Sequence, residues 1–96
     1  MNAAETFTFS LYVAGDAQNS AQATSNLNKL CRASLPGQHS IEIVDVLKDP
    51  KRALADGVFM TPTLIKHRPL PLRRIVGTLS QTAVVMQALG LHALAE

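Results

Sequence analysis

Val58–Gly77 reads V-F-M-T-P-T-L-I-K-H-R-P-L-P-L-R-R-I-V-G, and three of its prolines fall within ten residues. Pro62 stands between Thr61 and Thr63, directly before Leu64-Ile65. Proline fixes φ and has no N–H to give a ladder, so it belongs at the first residue of a strand or at an edge. A strand is therefore predicted to start here. Pro69 and Pro71 interrupt it, and the β-branched run Arg73 to Gly77 follows as its neighbour. Each X-Pro bond prefers trans by only about 0.5–1 kcal/mol, so Pro62, Pro69 and Pro71 are candidate cis and switch positions. Strand, proline-stiffened turn, strand is the local reading.

Working outward, Phe7, Phe9, Leu11 and Val13 alternate with Thr8, Ser10, Tyr12 and Ala14, the period of a strand. Asn19 and Gln22 have the spacing of a capping box for the helix that follows. Ala23, Leu27, Leu30, Cys31 and Leu35 recur along its apolar face, and Pro36-Gly37 stops it. Ile41 to Leu47 is nearly continuous in apolar residues, as for a strand covered on both faces. A βαβ unit with parallel strands is expected. Asp49-Pro50 reads as N-cap plus first-turn proline of a short helix that Gly57 ends. Ser80 is read as the cap of a last segment, Gln81 to Leu94, which mixes helical spacing with the strand-forming Ala83-Val84-Val85-Met86.

The chain has 96 residues, 47% of them hydrophobic and 17% charged, and this fits one folded domain over residues 1–96 with its core at about 7–94. A net charge of +2 is too small to argue for nucleic acid. Neither a secretory signal nor a membrane span is read, so a cytoplasmic protein is expected. Cys31 is the one cysteine, which excludes an internal disulfide or a cysteine zinc cluster. It is read as a small core residue. Asp45 is read as a paired strand-end residue, and His39, His67 and His92 lack ligand spacing. No nucleophile–base pair or phosphate loop appears, so no enzyme and no cofactor are expected. Arg73 and Arg74 either point to opposite faces of their strand as solvated and snorkelling side chains, or form with Lys66 a basic patch for a partner's carboxylates.

The order β-α-β-α-β-β-α, with an apolar strand entered through Thr-Pro-Thr, resembles the thioredoxin fold. Its redox thiol site between first strand and first helix is here A-G-D-A-Q-N-S, without cysteine. A closer resemblance lies in S-L-Y-V-A-G-D-A-Q-N-S (10–20), I-V-D-V-L-K-D-P (43–50), T-P-T-L (61–64) and P-L-P-L-R-R-I-V-G-T-L-S (69–80). In order and spacing these resemble the KaiB family of circadian clock proteins. Departures are Leu70 within the family's three-proline run, Gln18 in place of a proline near the first helix, and no acidic tail after Ala95-Glu96.

The resemblance implies a small α/β domain, thioredoxin-like in its βαβ N-terminal half, with a fold-switching C-terminal half of the KaiB kind. It implies a non-enzymatic regulator that binds KaiC, a hexameric ATPase and kinase, in its thioredoxin-like state. That state is expected to hold Pro62 cis. The other state is expected to self-associate as a dimer or tetramer through Leu70, Leu72 and Val85. Two alternatives are a stress-response adaptor with another partner, and a glutathione-dependent thioredoxin-like enzyme using Ser20 or Tyr12.

Overall fold

The computed structural model describes residues 6–91. Its elements run β1 (Phe7–Val13), α1 (Gln18–Ser34), β2 (His39–Asp45), α2 (Pro50–Ala55), β3 (Thr63–Arg68), β4 (Arg73–Val76) and α3 (Thr82–Ala88). The strands form one sheet in the order β2-β1-β3-β4. β1 and β2 are parallel, as a helical crossover requires, and β3 and β4 run antiparallel to their neighbours. The order of elements along the chain and the parallel β1–β2 pair are those expected from the sequence.

β1 lies inside the sheet, and its alternation serves two cores. Phe9, Leu11 and Val13 face α1 and α3, where they meet Ala23, Leu27, Leu30, Cys31, Leu64, Val85 and Leu89. Tyr12 points the other way, toward Val44, Ala53, Val58 and Ile65 under α2. The buried positions of α1 keep the spacing read from the sequence, and each fully buried leucine is worth roughly 1.5–3 kcal/mol over an exposed one.

Three local expectations are corrected. The first helix starts at Gln18 with Ala17 as its N-cap and no side-chain cap, so the Asn19–Gln22 capping box does not form. Ser20, one residue on, is buried instead, and its Oγ accepts from the Ala14 N–H at 3.0 Å. That bond closes the β1–α1 turn from inside. Ser80 likewise yields the cap position to Gln81, and α3 ends at Ala88, with Gly90 following in the left-handed region. The expected continuation to Leu94 runs past the described residues. Finally, β2 is an edge strand, not a strand covered twice: only Val44 is buried and Ile43 is 47% exposed. An apolar run reports β-propensity, and it cannot say how many helices are available to cover it.

The loops at the carboxyl ends of β1 and β2 are pinned together. Asp45 Oδ1 accepts from the N–H of Gly15 at 3.1 Å and of Leu47 at 3.0 Å, which is the paired strand-end role expected of it. Gly15 has φ +53, and a Cβ there would come within 3.3 Å of Leu47 Cδ1, so the close approach favours glycine. α2 begins as read, with Asp49 accepting from the Arg52 N–H at 3.2 Å and Pro50 in the first turn.

Candidate partner-binding surface

The β3–β4 register places the basic residues. Lys66 lies opposite Arg73, and Ile65 opposite Arg74, so Lys66 and Arg73 share the α1/α3 face while Arg74 lies on the α2 face. The structure does not assemble the three-residue patch. Lys66 is 3% exposed; its Nζ donates to the Leu89 carbonyl at 3.2 Å and sits 5.7 Å from the centre of the Phe7 ring. A cation at the C-terminus of α3 is held by the helix dipole and a desolvated carbonyl, and that takes Lys66 inside. Arg74 reaches across to α2 and donates to the carbonyls of Asp56 and, at 3.4 Å, Gly57. Gly57 itself turns in the left-handed region with the Arg74 guanidinium alongside. Arg73 is exposed. Of the two roles weighed for the arginine pair, Arg73 keeps the open one.

Beside Arg74, the chain between α2 and β3 leaves Phe59 82% exposed and Met60 58% exposed, and Val76 on β4 is 53% exposed. With Gly57, Val58, Thr63 and Arg74 they line a hollow of about 280 Å³. Pro62 is buried, and the bonds before Pro62, Pro69 and Pro71 are all cis. Leu70 and Leu72 in the β3–β4 turn are exposed, while Val85 lies in the core, so this arrangement does not offer the three together.

A polar network supports the surface from below. The Tyr12 hydroxyl donates to the Asp56 carboxylate, and Arg52 Nε stands 3.7 Å from the same oxygen. Arg52 also donates from Nη1 and Nη2 to Glu42 at 2.7 and 2.6 Å, a bidentate pair. Burial, then the Asp56 carboxylate, push the Tyr12 phenol up to about 12. The hydrogen bond from Arg52 holds Glu42 below the usual carboxylate range. On the same side of the sheet Ser10 Oγ and His67 Nε2 are 2.9 Å apart.

These contacts occupy the residues that a thioredoxin-like enzyme would need. Ser20 and Tyr12 are both committed to structural hydrogen bonds, and burial pushes the Cys31 thiol up to about 11. His39 donates from Nδ1 to the Leu35 carbonyl at 2.7 Å, and His92 lies outside the described residues. Among the described residues, no three His, Cys, Asp or Glu side chains cluster as a metal would require. No helix among them is long and apolar enough to cross a membrane. Sequence reasoning missed Asp56, Phe59 and Met60. Asp56-Gly57 carried the signal of a helix end, but nothing local told that the aspartate would gather Tyr12 and Arg52.

The fold, with a cysteine-free β1–α1 turn, defines a small thioredoxin-like protein that lacks the thiol site. Among solved structures, the N-terminal domain of SasA from Synechococcus elongatus superposes with a TM-score of 0.73 at 16% identity, covering 100% of this chain and 94% of that one. Mitochondrial thioredoxin 3 of Saccharomyces cerevisiae gives 0.71 at 20% identity over 91% of this chain and 80% of its own. At such identities the likeness is one of fold. In sequence, a KaiB domain profile matches residues 10–91. The circadian clock protein KaiB3 of Synechocystis is 43% identical over 79 residues, 82% of this chain and 78% of the relative. The circadian clock oscillator protein KaiB of Prochlorococcus marinus is 41% identical over 91 residues, 95% of this chain and 85% of the relative. The chain belongs to the KaiB family. A glutathione-dependent enzyme is not supported, since these relatives are named as circadian clock proteins.

Proposed function

We propose that this protein is a non-enzymatic regulator in a timing system, binding a KaiC-like hexameric ATPase in the cytoplasm through the β3–β4 side of its sheet. The observation that carries the reading is the family match over residues 10–91, together with a C-terminal half in the thioredoxin-like arrangement. In the KaiB resemblance that arrangement belongs to the partner-binding state. The mechanism is fold switching, in which the partner selects one of two packings separated by a few kcal/mol. Mixed helix and strand preference in Ala83-Val84-Val85-Met86 supports it, as do the prolines at the joint, Pro62, Pro69 and Pro71. In the alternative packing the chain pairs with copies of itself, covering Leu70 and Leu72, which are exposed here.

The test is co-elution of the full chain with a purified KaiC-like ATPase, with and without ATP. Binding that weakens with salt and with Arg73→Ala is the expected result. Absence of a complex under every nucleotide condition counts against the reading.

A further inference from the structure

The hairpin that carries Arg73 has an open flank. β4 is the last strand of the sheet, and its pairing with β3 fixes which backbone groups face outward. The Gly77 N–H donates to the Pro62 carbonyl at 2.9 Å. That bond sets the phase of the ladder. Arg73, Ile75 and Gly77 turn their backbone groups toward β3, while Arg74 and Val76 turn theirs away from it. The two outward N–H and two outward C=O groups form a template for one more strand.

Side chains on either side of this edge differ in kind. On the α2 face the edge borders the hollow of Phe59, Met60 and Val76. On the opposite face stands Arg73, exposed, and Arg68 at the end of β3 is exposed as well. No ion pair among the described residues reaches either arginine. The charge here has one sign: six of the seven carboxylates precede Gly57 and the seventh is Glu96, so residues 57–95 carry Lys66, Arg68, Arg73 and Arg74 against none.

We propose that β4 accepts an extended segment of a partner as a fifth strand, one in which acidic and apolar residues alternate. A strand sends successive side chains to opposite faces, so alternation delivers carboxylates to Arg73 and apolar side chains to the hollow. Arginine edges discourage pairing between two copies of β4, because the same charges would meet across the new ladder. Charge thus selects an acidic partner strand over a second copy. The proposal deepens the functional reading above and rests on it in taking this side of the sheet as the partner's.

The test uses the full chain, isotope-labelled, with a blocked peptide of alternating Glu and Val flanked by Ser, and control peptides with Lys for Glu or Ser for Val. The acidic peptide is expected to shift the amides of Arg74 and Val76, more weakly as salt rises, and neither control is expected to do so. Val76→Pro removes an outward donor at an edge position that tolerates proline, and Arg73→Glu reverses the charge without touching the ladder. Each variant should weaken binding about tenfold or more. Equal binding of all three peptides, shifts confined to β2, or two variants that bind like wild type would overturn the proposal. A KaiC-like ATPase that binds wild type and both variants alike refutes the added strand and leaves the function standing. A chain that takes the acidic peptide on β4 yet never binds the ATPase refutes the function and supports the strand.

Discussion

Replacing Tyr12 by Phe removes one hydroxyl from the polar network beneath α2. In the wild type that hydroxyl donates to the Asp56 carboxylate, and the ring is fully buried under α2. A hydrogen bond to a charged acceptor contributes about 1.5–3 kcal/mol. Asp56 keeps Arg52 in the variant, so the loss lies near the lower end, about 1.5–2 kcal/mol, or roughly 6–16 °C in Tm for a domain of this size. The pH dependence gives a second reading. The phenol's folded pKa is raised from 10.0 to about 12, so the folded chain holds this proton more tightly than the unfolded one. The advantage of Tyr over Phe is therefore complete below pH 10 and is lost as pH rises from there toward 12. Urea unfolding of wild type and variant, followed by circular dichroism at a series of pH values, measures the gap. A gap below about 0.5 kcal/mol at neutral pH, or one that stays constant through the tyrosine range, would show that the hydroxyl is not bonded as described.

Other perturbations have equally definite outcomes. Arg74→Ala should lower stability by about 1 kcal/mol, because the carbonyls of Asp56 and Gly57 lose their donor; Arg73→Ala should stay within about 0.5 kcal/mol of wild type in the same unfolding assay while weakening partner binding. Lys66→Ala should cost about 2–3 kcal/mol by removing both the packed stem and the donor to Leu89, and Lys66→Met should restore most of it by thermal unfolding. The Cys31 thiol, buried and raised to about 11, should react with a disulfide reagent at pH 8 only as fast as the chain opens; fast labelling of the folded protein would contradict its place in the core.

Elements whose signals are local were legible in the sequence. The apolar stripe of α1, the Asp49-Pro50 start of α2 and the proline-bounded strands β3 and β4 lie where periodicity and turn chemistry put them. Asn19 failed as a cap because a competing contact chose its neighbour: burying Ser20 against the Ala14 N–H fixed the start of α1 one residue before Asn19, while the Ser80 hydroxyl instead accepts from Thr78 Oγ1 at 3.3 Å. β2 was misjudged because exposure depends on which strands and helices lie beside it. Lys66 was misplaced for a similar reason. A lysine in a strand gives no sign that a helix will end above it at Leu89, 23 residues on, so the patch read from three cations holds one open arginine and one arginine clamped to α2.

Asp56 deserves a mechanical reading. Its carboxylate meets Tyr12 on the central strand and Arg52, whose other nitrogens hold Glu42 on β2, and its carbonyl accepts from Arg74 on β4. β2 and β4 are the two outer strands of a four-stranded sheet, three spacings or roughly 14 Å apart. One short helix end therefore braces both borders of the sheet from below. A load that draws β4 outward is passed, through Arg74, in part to the helix end that also anchors β2.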